Sequence, residues 1–193
     1  MWGFLREDAK TAQKAGLDNY WGIPRTSLLD YLNVIFPEVK DWVHDKTTGR
    51  KELGLIRPDY RSEQLTLVVE FNGLPHYQKP DIITNDYIKK IRYEAAGYKY
   101  VAVPYFIQFS NEVVWRLFQR KVSQDLFDIK YTSLTPGSCA NPAYLCPMGL
   151  ERMAQEFKDI SPEQYQLCIQ ELKKGEDWQT GVDLLEEVYN KLY

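Results

Sequence analysis

Apolar positions along the chain alternate between a helical and a strand-like period. Leu28, Leu29, Leu32 and Ile35 recur at the spacing of one helical face, which predicts a helix from about Ser27 to Ile35 that Pro37 stops. A short polar helix is expected before it, around Leu5 to Ala15. The polar stretch His44 to Leu53 contains Thr47-Thr48-Gly49 and reads as a turn leading into Leu55 to Tyr60, so a hairpin is expected there. Leu65 to Phe71 is a run of β-branched and large apolar residues ending at Asn72-Gly73, the pattern of a central strand. Leu74 to Thr84 holds two prolines and no period, and is expected to be a loop before a helix from about Asn85 to Ala96, capped by Gly97.

Lys99 to Phe106 predicts a second buried strand. Ser110 with Asn111-Glu112 opens a helix running to about Val122, with Val113, Val114, Leu117 and Phe118 on one face. Strand, helix, strand, helix predicts an α/β core. Thr132 to Pro147 is rich in Pro, Ser, Gly and Asn and reads as a linker or excursion. Three helical patterns follow, Met148 to Ile160, Pro162 to Lys174 and Thr180 to Leu192, the second opened by Ser161-Pro162 with Gln164 at the capping-box position. These patterns divide the chain into an N-terminal helical extension (1–26), a core (27–131), a linker or loop (132–147) and a C-terminal helical segment (148–193).

Composition narrows the class. Of 193 residues 44% are hydrophobic and 14% aromatic, with charges of both signs mixed, so the chain is expected to be globular. No apolar run reaches the length of a membrane span, and Met1 to Ala15 carries acids and no signal-peptide apolar segment; an intracellular, cytoplasmic protein without a membrane association is expected. Cys139, Cys146 and Cys168 are an odd number without a C-x-x-C pair, which favours free thiols over a disulfide framework or zinc finger. The formal net charge of -3 supplies no global attraction to nucleic acid. Phosphate contact needs only a local patch, and metal ions bring positive charge to gathered carboxylates.

Asp59 and Glu70 are the pair that suggests chemistry. Two acids on adjacent strands, one ending a hairpin arm and the other near the end of a central strand, can aim both carboxylates at one hard cation. Burying Glu70 without a partner would cost several kcal/mol, so a metal or a basic group is expected beside it. The residues around the pair carry a resemblance. Arg57-Pro58-Asp59-Tyr60, then Val69-Glu70-Phe71-Asn72-Gly73-Leu74-Pro75-His76-Tyr77, then Asp86 with Lys89, Gly97-Tyr98 and Val103-Pro104-Tyr105 resemble the run found in nucleases similar to very-short-patch-repair endonuclease. The same run resembles phage and homing-type endonucleases and the RAP domain, all within the PD-(D/E)xK superfamily. It covers roughly Ser27 to Phe118, and as an ordered series it is specific.

The resemblance implies a restriction-endonuclease-like core over 27–131, a central mixed β-sheet flanked by helices, with helical extensions at both ends. It implies that Asp59 and Glu70 ligate Mg²⁺ or Mn²⁺, the Phe71 carbonyl or a water completing the shell. Asn72 stands where the superfamily has lysine, so the residue that orients or deprotonates the attacking water is sought in His76, Lys89 or Lys90. His76 is one of two histidines, and histidine titrates near neutrality, as proton transfer requires. Asp86 and Lys89 match an Asp-x-x-Lys element on one helical face, and Asp30 occupies the place where these families carry an acid completing the cluster. Metal ligands are therefore expected among Asp59, Glu70, Asp30 and Asp86. By themselves, Asp59 also reads as a turn residue, Glu70 as a strand-edge charge, His76 as a solvent-facing or structural ring, Asp86 and Lys89 as salt-bridged surface residues, and Asp30 as part of a solvated helix face.

Three functions are expected in order. The first is a metal-dependent endonuclease hydrolysing phosphodiester bonds, with DNA ahead of RNA as substrate. The second is a noncatalytic nucleic-acid-binding module on the same fold. The third is a protein-interaction subunit or homodimer acting through its C-terminal helices, where Val182, Leu185, Val188, Tyr189 and Leu192 share a face, although packing on the chain's own core competes for that face. Trp2, Trp21, Trp42, Tyr98, Tyr100, Tyr105 and Phe106 could stack on bases, but beside strands and helices the core is the expected place for them, and they carry no site assignment.

Overall fold

The computed structural model describes residues 28–123, 126, 146–173 and 179–192. The expected helix at Leu5 to Ala15, the 1–26 extension, Trp2, Trp21, Cys139 and nearly all of the Thr132 to Pro147 linker lie outside them.

Leu28–Ile35 forms α1, burying Leu28, Tyr31, Leu32 and Ile35 on the predicted face. Val43–His44 (β1) pairs antiparallel with Tyr60–Ser62 (β2), which pairs antiparallel with Leu67–Asn72 (β3). Two helices, Pro75–Gln78 (α2) and Pro80–Ala95 (α3), then cross to Lys99–Pro104 (β4), which lies parallel to β3. The result is an α/β fold with a four-stranded mixed sheet, order β1-β2-β3-β4, flanked by helices. Asn111–Phe118 (α4), Pro147–Ile160 (α5), Pro162–Leu172 (α6) and Gln179–Lys191 (α7) complete the described elements.

Two expectations need correction. The hairpin arm is not Leu55 to Tyr60: Leu55 is 89% exposed, the strand begins at Tyr60, and its partner is the two-residue β1, too short to show a period. Leu74 to Thr84 is not loop. Its prolines Pro75 and Pro80 each sit at the start of a helix, where the missing N–H has no partner to lose. The helix expected from Asn85 therefore begins five residues earlier.

Local signals hold elsewhere. The Ser110 hydroxyl accepts from the Val113 amide and starts α4, which ends earlier than expected because Gln119 adopts a left-handed conformation at φ +56. The Ser161 hydroxyl accepts from the Gln164 amide before α6. Gly97 at φ +87 closes α3, with the Tyr98 amide donating back to the Tyr93 carbonyl.

The sheet separates two apolar clusters. Leu67, Val69 and Phe71 of β3 with Val101 and Val103 of β4 face the larger one, shared with α1, α4 and the C-terminal helices. Val68 faces the smaller one with Leu53, Tyr93 and Tyr98. Strand alternation places Glu70 and Asn72 on the Val68 side, toward α3. Met153 and Phe157 of α5 and Val182, Leu185 and Tyr189 of α7 belong to the larger cluster. Of the α7 face considered for a partner, Val182, Leu185 and Tyr189 are buried in the chain's own core, and Val188 and Leu192 pack against it half-buried.

α5 comes unusually close to α2. A Cβ on Gly149 would lie 1.8 Å from the Tyr77 carbonyl oxygen, so only glycine fits where the two helices meet. The Cys146 thiol donates to the same carbonyl at 3.6 Å, and neither Cys146 nor Cys168 forms a disulfide among the described residues.

Candidate active site

Register brings the acid pair together. Tyr60 pairs with Val69 in the antiparallel ladder, so Asp59, one residue before β2, falls opposite Glu70. A side-chain bond fixes it there, the Phe71 amide donating to Asp59 Oδ2 at 2.7 Å. Glu70 is 5% exposed, and its Oε1 has no hydrogen-bond partner among the described residues. Burial, reinforced by the Asp59 charge, pushes the Glu70 carboxyl up to about 8, while Lys89 pulls the other way and Asp86 adds to the rise. Asp59 is raised by burial too, against the Phe71 bond and the charges of Lys89, His76 and His44. Both carboxyls are thus raised above their ordinary values, because burial and a like charge alongside each oppose ionisation.

Such a pair suits a hard divalent cation. Both donors are carboxylate oxygens, and one is a buried oxygen without a partner. Among the described residues no group of three or more His, Cys, Asp or Glu side chains is arranged to hold an ion. The other ligands would come from the backbone and water.

Asn72 ends β3 on the Glu70 side, 1% exposed, with neither amide atom bonded among the described residues. Unpartnered groups of this kind cost about 1–3 kcal/mol each, so Asn72 holds both a donor and an acceptor ready for a water or substrate oxygen.

His76 and Asp86 form a dyad. His76 lies on α2 and its Nδ1 stands 2.7 Å from Asp86 Oδ2 on α3. The same oxygen accepts from Arg152 Nη1 at 3.0 Å, and Arg152 Nη1 also reaches the His76 carbonyl at 3.3 Å. Burial alone would raise Asp86, but the bonds from His76 and Arg152 outweigh it and hold the carboxyl below its ordinary value. Arg152 is itself gripped by Glu156, Nε to Oε1 at 2.9 Å, and Glu156 accepts from the Tyr77 hydroxyl at 2.5 Å. Asp86 was expected as a metal ligand pointing with Lys89 at the site. Its Oδ2 bonds to His76 and Arg152, while its charge still acts on Glu70.

The two candidate lysines separate. Lys89 is half-buried, and its charge acts on both Asp59 and Glu70. Lys90 is exposed and opens on a groove between α3, β4 and α5. Asp30 sits in the first turn of α1, half-buried, and is not among the charges that act most strongly on Asp59 or Glu70.

Arg152 and Glu156 were missed by the sequence reading. Their i,i+4 spacing on an amphipathic helix reads as a surface pair, and nothing local shows that the helix returns to the sheet end. Tyr98, Tyr105 and Phe106 are core, as expected, whereas Tyr100 is half-buried and lines the groove.

Comparisons with protein-family models, with curated proteins and with solved structures give no match to this chain.

Proposed function

We propose that the chain is a metal-dependent phosphodiesterase, an endonuclease with DNA as the favoured substrate, built on a restriction-endonuclease-like core of the PD-(D/E)xK kind. One observation carries this reading: Asp59 is fastened across the ladder from Glu70, whose buried oxygen is unpartnered and whose carboxyl is raised by burial and by Asp59. Mg²⁺ or Mn²⁺ held by these two residues would polarise the phosphate and acidify a water.

The chain's own groups take the remaining tasks. The His76 imidazole, oriented through Nδ1 by Asp86, presents Nε2 as the proton acceptor for the attacking water, and Arg152 keeps Asp86 ionised for that work. Lys89 balances charge near the carboxylates, the duty that falls to lysine at the position Asn72 fills here. The Asn72 amide donates to, or accepts from, a water beside Glu70.

Calorimetric titration with Mn²⁺ and Mg²⁺, alongside labelled single- and double-stranded DNA and RNA, tests the proposal in the wild type and in Glu70→Ala. Metal binding and cleavage in the wild type, both lost in the variant, are expected. Strand binding without metal uptake or turnover would reduce the protein to a noncatalytic binding module.

A further inference from the structure

Beside the acid pair lies a groove of about 620 Å³, within the range of small-molecule sites. Its floor is Tyr100 and Ala102 of β4, and Ala102 is the direct ladder partner of Glu70. α3 forms one wall with Thr84, Tyr87 and Lys90, and α5 the other with Met148 and Gln155. We propose that this groove is a subsite for one unstacked nucleobase of the strand whose phosphate is presented to Asp59 and Glu70. The inference rests on the phosphodiesterase reading for the position of that phosphate.

The lining matches a base better than other occupants. Tyr87 is 66% exposed and Met148 46%, so an aromatic face and an apolar thioether stand on opposite walls with little protein covering them. Flat π-systems stack on such groups with little sequence preference. Thr84 and Gln155 also line the groove, and because Gln155 Nε2 is engaged by Asp159 at 2.7 Å, its carbonyl oxygen is left to accept from the polar edge of a base.

Charge points the same way. Asp86 and Glu156 line the groove but are tied to Arg152, His76 and Tyr77. Lys90 makes no ion pair or hydrogen bond among the described residues, and it leaves one uncompensated cation for a flanking phosphate. The Tyr100 hydroxyl is held protonated well above its ordinary range by burial and by the charges of Glu70 and Asp86, which places the groove floor within the electrostatic reach of the acid pair.

A base stacked in a duplex cannot enter a concave site between two helices; it must first leave the stack. With a net charge of -3 the chain has no global basic field to hold a duplex. The protein should therefore prefer single strands or unpaired junctions.

The test is fluorescence anisotropy with fluorescein-labelled six-nucleotide strands, deoxy and ribo, and with a blunt duplex of the same sequence. The full chain is used in EDTA and again in Mn²⁺. Tyr87→Ala, Tyr87→Phe and Gln155→Ala all change exposed side chains, so folding is spared. The expected result is that single strands bind more tightly than the duplex. Tyr87→Ala should weaken strand binding roughly tenfold or more and Tyr87→Phe should retain it, as stacking requires. Calorimetric Mn²⁺ affinity should be equal in all three variants. The deoxy and ribo arms show which strand the groove takes, and Tyr87-dependent binding of either supports the subsite. Equal binding by wild type and Tyr87→Ala, duplex binding as tight as single-strand binding, or no strand binding at all would overturn the inference while leaving a metal-binding Asp59 and Glu70 untouched. Tyr87-dependent binding without Mn²⁺ uptake would uphold the subsite and sink the phosphodiesterase reading.

Discussion

Replacing Glu70 with glutamine should make the metal-free protein more stable at neutral and alkaline pH. Burial and the Asp59 charge oppose ionisation of the carboxyl and push it up to about 8 in the folded chain from its ordinary 4.5. A group raised in this way lends its stability fully below the unfolded value and loses it as pH rises toward the folded one. Between pH 5 and pH 8 the wild type should therefore lose stability by about 1.4 kcal/mol per pH unit on account of this group, roughly 4 kcal/mol across the window. Asp59 and Glu156 are raised as well and add to the loss in both proteins, whereas Asp41 and Asp86 are lowered and change only in acid below the window, so Glu70 is read from the difference between the two profiles. The amide introduced by Glu70→Gln cannot ionise, so the variant's profile should be flatter. Urea unfolding of both proteins in EDTA, followed by intrinsic fluorescence at pH 5, 6, 7 and 8, measures the difference directly. Profiles that run parallel within about 0.5 kcal/mol would refute the claim that Glu70 is held in a charge-hostile site. Adding Mn²⁺ at pH 8 to about a hundred times its Kd should return roughly 2.7 kcal/mol to the wild type and little to the variant.

Gly149→Ala forces a Cβ against the Tyr77 carbonyl, and should lower stability by about 1–3 kcal/mol and shift the melting temperature down by several degrees, read by calorimetry. Arg152→Ala strips a buried carboxylate of a partner, and a loss of about 3 kcal/mol is expected in denaturant titration, with Arg152→Lys recovering only part of it because one ammonium cannot reach Asp86, Glu156 and the His76 carbonyl together. In the nuclease assay His76→Ala should lower kcat about 10²–10⁴-fold while Mn²⁺ affinity by calorimetry stays unchanged; equal losses in both would make His76 a ligand instead of a base.

What the sequence made legible was local. The β3 strand follows a run of β-branched and large apolar residues broken only by Glu70 and closed by Asn72-Gly73, the pattern of a buried strand, and Ser110, Ser161 and Gly97 announce helix ends through their own side chains or backbone freedom. Asp59 and Glu70 stood out because an acid after proline and an acid inside an apolar run break the pattern on either side. The hairpin partner was hidden because β1 has two residues and no period. Prolines at Pro75 and Pro80 were read as breakers, although at a helix start they are favoured. The Asp86 clamp was hidden because Arg152 lies 66 residues away on a helix whose return to the sheet end depends on tertiary packing, above all the close approach at Gly149. Tyr87 escaped notice because an aromatic on an exposed helix face has no sequence mark distinguishing it from a core residue.

The most direct measurement is Mn²⁺ and Mg²⁺ titration of the wild type, Asp59→Ala and Glu70→Ala in the presence of labelled DNA and RNA. Saturable metal binding and strand cleavage in the wild type, with both lost in either variant, is the predicted result. Cleavage that persists in both variants, or a wild type that neither takes up metal nor cuts any substrate, would contradict it.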